Sequence, residues 1–322
     1  MHRVQRLTTF GLVLAAAGTW ALSAAAQDKI RIAKSVSQPL AFAPVDIGIE
    51  KKIWAKHGFA LEVLIFAGDA KMQQAFVAKA IDFGLGSGPA MGFFAKGVPA
   101  RAVGVVANEP LSMGLTVAGN SKIKRPEDLK GSRIGITTNG SLTFWLAREL
   151  SRRLGWGSDG IRTVPLGAIS AQLAALKSGQ VDGFVMSSSQ GLMLEQLKEG
   201  RLLLEFGNYI KDFHTHILIA SDDMIQKKPD QVRRFLAAWQ EIIVFMFDNK
   251  DETVRMARKV TGLDEALQRQ EYDHVMPMMS RDLRFNAKAL EVIADSFIEL
   301  GILTVKPDMK TLYNDTFLPP AR

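Results

Sequence analysis

Hydroxyl, amide and glycine residues gather in loops that follow the predicted strands of this chain. Their side chains can donate and accept hydrogen bonds, and the glycines let a ligand approach the backbone closely. Ligands of open parallel α/β sheets bind beyond the carboxyl ends of the strands, where these loops lie. The pattern therefore predicts recognition of a small polar ligand by hydrogen bonds. The loops span residues 35–40, 86–88, 107–109 (with the amide of Asn108), 137–141 and 187–189.

The loop with Asn139, Gly140 and Ser141 joins a predicted strand to the start of a predicted helix. Free backbone N–H groups and the helix dipole favour an anion at such a helix start. The alternative is that Ser141 only caps its own helix, and one residue can do both. Ser37 and Gln38 occupy the equivalent loop earlier in the chain. There an amide could contact the ligand, or the loop could simply be solvated before Pro39 opens a helix.

Two further loops end short apolar strands and repeat one arrangement. Ser87 and Gly88 end the first, and Ser187 ends the second. A hydroxyl at both matching positions favours ligand contacts, although each loop could serve only as a turn. The Gly-rich loop at residues 86–88 is not followed by Lys and Ser or Thr, as a phosphate-binding P-loop would be.

Aromatic and histidine side chains near these loops have two possible roles. Phe42 and the matching Phe144 could stack on a planar ligand, or pack their helices onto the sheets. His214 could contact the ligand near a hinge, and His214 with His216 could hold a metal if a third ligand existed. No third ligand is evident in the sequence. We therefore predict no metal site, no cofactor and no catalytic residue.

The elements that must position these loops occur twice. Residues 31–87 and 133–187 follow one plan, with an Arg-led strand, a helix with a Trp near its end, a second strand, a helix, an Asp and a short strand ending in Ser. In the first copy the first helix is predicted over residues 43–56, and Asp69 is predicted to cap the second helix. After the second copy a helix is predicted at residues 193–199, and apolar residues at helical spacing after Pro229 predict a helix with one buried face. Strands that alternate with helices predict parallel-rich sheets covered on both faces. Two such units predict two α/β lobes with a binding cleft between them.

The chain order gives the predicted organisation. Residues 27–115 form the first part of lobe 1, residues 116–218 form lobe 2, and residues 219–322 return to lobe 1 as a helical region. Apolar strands at 113–118 and 216–220 are predicted to cross between the lobes as a two-strand hinge. Residues 1–26 have the basic start, apolar stretch and Ala-rich end of a signal peptide. No Cys follows, so export without a lipid anchor is expected.

Composition excludes several classes of function. The 322-residue chain has no Cys, which removes thiol catalysis, thiolate zinc sites and iron–sulfur clusters. Its formal charge of +7 comes from basic residues scattered among acids. A nucleic-acid-binding protein would concentrate its basic residues in one stripe, so no nucleic-acid partner is expected.

Three stretches of this sequence resemble the periplasmic substrate-binding proteins of ABC importers. They are residues 37–39 (Ser-Gln-Pro), residues 124–131 (Lys-Arg-Pro-Glu-Asp-Leu-Lys-Gly) and residues 221–232, which begin Ser-Asp-Asp-Met. The branch that they resemble takes sulfonates, taurine, nitrate or thiamine-pyrimidine precursors. The resemblance implies an α/β, two-lobed type II periplasmic binding protein fold, a ligand in the cleft, a monomer, and delivery to a permease in the inner membrane.

The resemblance leaves the ligand and two other functions open. The oxyanion binders of that family often use a basic residue in the cleft, and only Lys34 lies near these loops. A carboxylate or a planar heterocycle is therefore as compatible with the sequence as an inorganic anion. A periplasmic enzyme on the same fold, of the lyase or pyrimidine-precursor synthase type, is the alternative, as is the ligand-loaded partner of a membrane sensor.

Overall fold

The computed structural model describes residues 27–37 and 39–320, so the predicted signal peptide lies outside the described residues. In this part of the chain ten strands form two sheets. The strands are β1 (Asp28–Lys34), β2 (Phe59–Ile65), β3 (Phe83–Ser87), β4 (Ala100–Ala107), β5 (Met113–Ala118), β6 (Arg133–Ile136), β7 (Arg162–Pro165), β8 (Gly183–Ser187), β9 (Gly200–Glu205) and β10 (His216–Ser221).

Helices connect the strands and make up most of the last third of the chain. The α-helices are α1 (Pro44–Glu50), α2 (Ile53–Lys56), α3 (Asp69–Val77), α4 (Met91–Ala95), α5 (Leu142–Arg153), α6 (Ile169–Lys177), α7 (Ser188–Gln196), α8 (Asp222–Lys227), α9 (Pro229–Asp248), α10 (Lys250–Thr261), α11 (Glu265–Val275) and α12 (Ala287–Glu299). Across the described residues, no helix is both long and apolar enough to cross a membrane.

Two helix predictions are corrected by the structure. The single helix predicted over residues 43–56 is interrupted at Lys52, whose φ of 56° is left-handed and cannot continue a right-handed helix, so α1 and α2 are separate. The helix predicted at 193–199 is α7, which begins earlier, directly after β8. Ser188 and Ser189 therefore belong to the first helical turn rather than to a loop.

The two five-stranded sheets have equivalent strand orders. The first runs β2-β1-β3-β10-β4 and the second β7-β6-β8-β5-β9. In both, the fourth strand of the order is antiparallel to its neighbours, while the first three strands run parallel. The predicted parallel-rich α/β architecture with two related sheets is confirmed.

The internal repeat extends to one Arg–Asp ion pair in each copy, which we call the clamp of that sheet. Arg31 on β1 bonds Asp82 just before β3, with 2.8 Å between Nη2 and Oδ1. Arg133 on β6 bonds Asp182 just before β8 with the same atoms, also at 2.8 Å. Each carboxylate also accepts the backbone N–H of its Arg, so the clamp ties the first and third strands of its sheet together.

The chain passes between the sheets through short segments rather than through strands. β5 pairs only within the second sheet and β10 only within the first, so these two predicted hinge strands are not the crossings. The chain crosses between β4 and β5 and again between β9 and β10. Asn108 and Thr215 join the two crossings, because the Asn108 carbonyl accepts the Thr215 N–H at 2.8 Å and its hydroxyl at 2.6 Å.

The helical last third packs on the first sheet through α9. Its fully buried Phe235 stacks on Phe83 of β3 with the ring centroids 3.9 Å apart, and on Trp54 of α2 at 5.0 Å. Trp239, one turn later, lies against the same cluster. This helix therefore covers one face of the first sheet and completes its core.

Candidate functional site

A cavity of about 60 Å³ lies between the ends of the two sheets. The first sheet and its loops supply one wall, and the second sheet with the starts of α5, α6 and α7 supplies the other. Residues from both copies of the repeat thus surround one space, which is the arrangement expected of a ligand site in a two-lobed protein. The lining residues are Ser35, Val36, Pro39, Gly68, Asp69, Ser87, Met113, Thr137, Leu142, Thr143, Ile169, Gln172, Val185, Met186, Ser187, Gln190 and His216.

Three hydroxyls form a closed cluster where β6 leads into α5. The Thr137 hydroxyl lies 3.0 Å from the hydroxyls of both Ser141 and Thr143, and those two are 2.9 Å apart. Ser141 is the N-cap of α5 and accepts the Phe144 N–H at 3.4 Å. The capping role of Ser141 is therefore present, and the hydroxyls that line the cavity here are those of Thr137 and Thr143.

Asp69 places a carboxylate on the wall opposite this cluster. It lies in the first turn of α3 and is 4% exposed. Its oxygens accept the Ser87 N–H at 3.2 Å and the Ser87 hydroxyl at 2.8 Å, and the Leu142 backbone and the Ser35 side chain lie near enough to lower its pKa. Burial raises the pKa of Asp69, and these hydrogen bonds oppose the rise. Since Leu142 opens α5, Asp69 links the first wall to a helix start of the second.

Ser87 and Ser187 occupy matching positions at the ends of β3 and β8. Both line the cavity and both are buried. The Ser87 hydroxyl is engaged by Asp69, whereas the Ser187 hydroxyl accepts from the Ser189 hydroxyl at 3.3 Å. The structure thus brings these two predicted site residues to opposite walls of one cavity.

His216 and Phe42 meet beside the cavity. The His216 ring packs edge-to-face on Phe42, with the centroids 4.8 Å apart. Phe42 is fully buried within the core of the first sheet and does not line the cavity. Its packing role is therefore the one that the structure shows. Burial lowers the pKa of His216 to about 4, against a weak opposing effect of the Gly86 backbone, so the ring is neutral at pH 7.

Three predicted site residues lie together at the crossing segments instead of in the cavity lining. His214 accepts the Asn286 N–H at Nε2 (2.9 Å), so its Nδ1 carries the proton and donates to the Asn108 Oδ1 at 3.0 Å. Gly88 packs directly on the His214 carbonyl. These contacts join the two crossings to α12 and occupy both nitrogens of His214.

The remaining predicted residues are dispersed. Ser37 is half-buried outside the lining, Asn139 is exposed, and Gln38 lies outside the described residues. Gly140 has a φ of +76°, which an L side chain rarely adopts, and packs near Phe93. Lys34, the basic residue noted near these loops, is buried and paired with Asp46, so it is not available to an anion in the cavity.

Asp69, Gln172 and His216 line the cavity but were not predicted as site residues. The sequence predicts that Asp69 caps α3. In the structure Gly68 is the N-cap, and the Asp69 carboxylate accepts the Ser87 hydroxyl instead. Asp69 and Gln172 each follow a glycine after the second strand of their copy, Gly68 and Gly167. This shared position is the sequence signal that could have indicated them.

Replacing Gly88 with alanine is expected to destabilise the crossing segments. The new Cβ would lie 2.4 Å from the His214 carbonyl oxygen, a backbone atom that cannot move alone. We expect a loss of about 1–3 kcal/mol of unfolding free energy in chemical denaturation. Gly104→Ala, whose nearest neighbour would be a side-chain atom at 3.3 Å, is the control and should cost less. Equal costs for the two variants would contradict this packing.

Acid is expected to destabilise the protein through its two buried histidines. Burial lowers the pKa of His214 and of His216 from 6.5 to about 4. As the pH falls, the unfolded chain therefore protonates these rings at a higher pH than the folded protein does. Their stabilisation is complete above pH 6.5 and is lost as the pH falls toward 4, by up to about 3 kcal/mol for each ring. Burial also raises the pKa of Glu271 to about 7 and raises the pKa of Asp69. The folded protein therefore protonates these two carboxyls before the unfolded chain does, and they oppose the histidine effect on acidification.

Denaturation midpoints between pH 7 and 5 measure this effect. His216→Gln should take up about one proton fewer on unfolding than the wild type in that range, so acidification should cost the variant less stability. An unchanged slope in His216→Gln would show that this ring titrates normally.

Comparison with known families identifies relatives over most of the chain. The family described as NMT1/THI5 like matches residues 40–253. A protein of Bacillus subtilis named as an aliphatic sulfonates-binding protein is 23% identical over 297 residues, which cover 91% of this chain and 87% of that protein. A 4-amino-5-hydroxymethyl-2-methylpyrimidine phosphate synthase of Schizosaccharomyces pombe is 24% identical over 65% of this chain and 63% of its own length.

A solved structure shares the fold. The periplasmic aliphatic sulphonate binding protein SsuA from Escherichia coli superposes with a TM-score of 0.71 at 20% sequence identity, covering 91% of this chain and 94% of that one. The two sheets described above therefore form a periplasmic binding protein fold.

Proposed function

Because the chain belongs to the NMT1/THI5-like family, we propose that it is an exported solute-binding protein that delivers a small polar ligand to the permease of an ABC importer. The observation that carries the proposal is the cavity between the two sheets, which both copies of the repeat line with buried hydroxyl and amide groups. The relatives named for sulfonate binding support a binding role over catalysis. We propose the periplasm as its location and the monomer as its form.

The proposed mechanism is closure of two lobes on the ligand. Ser87 and Asp69 lie on one wall and Thr137 and Ser187 on the other, so a ligand that bonds both walls favours the arrangement in which they are close. A ligand shifts such an equilibrium only by its preference for the closed form. The crossings at Asn108 and Thr215 are the segments in which we propose that the hinge lies, because the chain passes between the sheets there. The permease would then bind the closed form.

Thermal-shift screening of the mature protein tests the proposal. The panel contains sulfonates, nitrate, aliphatic and aromatic carboxylates, and pyrimidines, and native mass spectrometry checks for a copurified molecule. A ligand that binds only the folded state raises the melting temperature. We expect one chemical class to do so, and we expect the shift to shrink in Ser87→Ala. Ser178→Ala, an exposed hydroxyl in the second copy, is the matched control and should keep the full shift.

Two results would contradict the proposal. A panel without any shift, together with no copurified molecule, would remove the support for a solute-binding role. Turnover of a panel compound by the purified protein would instead favour an enzyme, as in the pyrimidine phosphate synthase relative.

A further inference from the structure

A chain of hydroxyls leads from the wall of the cavity to a carboxyl that is not among its lining residues. Ser187 lies on that wall, and its hydroxyl is 3.3 Å from the hydroxyl of Ser189 in the first turn of α7. The Ser189 hydroxyl also lies 2.7 Å from Oε1 of Glu271 on α11. Each of the three residues is 7% exposed or less. We call Ser187, Ser189 and Glu271 the relay.

The Ser189 hydroxyl cannot donate to both of its neighbours, because it carries a single hydrogen. When Glu271 is ionised it can only accept, so Ser189 donates to it and Ser187 donates to Ser189. Ser187 then has only lone pairs to offer a ligand. When Glu271 is protonated, it donates to Ser189, Ser189 donates to Ser187, and the Ser187 hydrogen is free for the ligand. One proton on Glu271 therefore reverses the hydrogen-bonding character of the Ser187 hydroxyl.

The second oxygen of Glu271 is held by a donor in either state. Gln268 donates from Nε2 to Oε2 of Glu271 at 2.9 Å. The Oε1 of Gln268 accepts the Thr261 hydroxyl, and this bond fixes the orientation of the amide. Because Oε2 faces an N–H group, the acidic hydrogen of Glu271 belongs on Oε1, which lies toward Ser189.

A second cavity gives Glu271 access to solvent. This side cavity has a volume of about 180 Å³ and lies between α11 and the start of α7. The exposed Gln270 and the partly exposed Glu205 and His274 also line it. Burial raises the pKa of Glu271 to about 7, against the hydrogen bonds that it accepts. The carboxyl therefore gains and loses its proton near neutral pH.

The charged groups around Glu271 are few. Among the described residues that line the side cavity, Glu205 of β9 and His274 of α11 are the other titratable ones, and the charge of His274 lowers the pKa of Glu271. The lining residues from α7 and from the segment before β5 are neutral, as are the short turns at 40–42 and 276–278 that contact α11. The charges of α10 that face α11 are paired with its exposed residues. These ion pairs are Lys250–Asp273, Asp251–Arg269 and Arg258–Glu265.

We propose that Glu271 controls the hydrogen bonding of the cavity from outside it, so that groups which only accept hydrogen bonds bind more tightly when Glu271 carries a proton. This inference rests on the proposed solute-binding function and deepens it. Glu271 is a positioning residue in this proposal, because it acts on the ligand through Ser189 and Ser187.

Titration calorimetry at pH 6 and pH 8 on the full mature protein tests the inference. The probes are ethanesulfonate, nitrate and acetate, which accept hydrogen bonds, cannot donate them and keep their charge over this range. For at least one of them we expect the wild type to bind about fivefold more tightly at pH 6. Asp69 also lines the cavity and has a raised pKa, so the comparison between variants isolates the relay.

Ser189→Ala separates the relay from the charge of Glu271. It breaks the chain but keeps both the Ser187 hydroxyl and the Glu271 carboxyl, so we expect the ratio of affinities at the two pH values to fall to about twofold or less. Ser188→Ala removes the adjacent hydroxyl, which is buried without a partner among the described residues, and should keep the wild-type ratio.

Glu271→Gln fixes the relay in one state. Its carbonyl can accept the Gln268 N–H, and its amide then donates to Ser189 as the protonated carboxyl does. We therefore expect its affinity at pH 8 to stay close to the wild-type value at pH 6. Glu265→Gln, on the same helix at a carboxylate that is 57% exposed, should keep the wild-type profile.

Several outcomes would overturn the inference. Equal affinity of the wild type at the two pH values does so without any variant. An unchanged ratio in Ser189→Ala would show that the charge of Glu271 acts on the ligand without the relay, and a wild-type profile in Glu271→Gln would exclude this carboxyl. If other panel compounds bind but none of the three anions does, the inference fails while the solute-binding function stands. If nothing in the whole panel binds, the function fails and the inference with it.

Discussion

Replacing Phe235 with alanine is expected to lower the free energy of unfolding by about 3–5 kcal/mol. The ring is fully buried in α9 and contacts aromatic rings from three other parts of the chain: Trp54, Phe59 and Phe83. Its removal leaves a cavity between the helical last third and the first sheet, and the surrounding rings can fill that cavity only in part. Aromatic contacts of this kind add to the cost of the lost burial. Urea denaturation followed by fluorescence measures the change.

Phe245 provides the control on the same helix. It is only partly buried, with Lys51 lying over its ring at 4.9 Å. Phe245→Ala should therefore cost about 1 kcal/mol. If the two variants lost similar stability, α9 would not be the element that completes the core of the first sheet.

Replacing Ser187 with tryptophan is expected to weaken ligand binding by about a hundredfold or more, because the side chain would fill the space the ligand needs. Ser187 is buried at the end of β8 and lines a cavity of about 60 Å³. An indole and a small organic ligand cannot share that volume. Titration calorimetry with the tightest-binding panel compound measures the loss.

Two controls separate blocking from misfolding. Ser178→Trp places the same side chain at an exposed position in the same copy of the repeat and should leave affinity unchanged. Ser187→Leu is smaller, is expected to fold with less strain, and should show an intermediate loss. Affinity of Ser187→Trp within about threefold of the wild type would mean that the ligand binds elsewhere.

The repeat and the sheets could be predicted because their signals are local. Alternation of strands and helices, and the Arg and Asp positions shared by the two copies, lie in the order of residues along the chain. The apolar stripe of α9 indicated its buried face in the same way, and Phe235 and Trp239 lie on it. The positions of Ser87 and Ser187 in the cavity lining could be predicted because they match each other at the ends of short buried strands.

The place of Asp69 in the cavity wall could not be predicted, because its partners are distant in sequence. The residue reaches Ser87 through the pairing of β1 with β3, and Leu142 only through the approach of the second copy. From its neighbours in the sequence alone, an Asp at a helix start is predicted to cap that helix. The crossings were also misplaced: β5 and β10 are apolar enough to span two lobes, but each is needed to fill one sheet.

Methyl NMR of the methionines tests the central claim, that the ligand binds between the two sheets. Met113 and Met186 line the cavity, whereas Met256 lies in the core and Met309 lies away from the lining. Assignment by single Met→Leu variants allows each methyl signal to be followed as the best panel compound is added. We predict that the Met113 and Met186 signals shift and saturate together, with little change at Met256 and Met309. Saturable shifts at Met309 with none at Met113 or Met186 would contradict a site between the sheets.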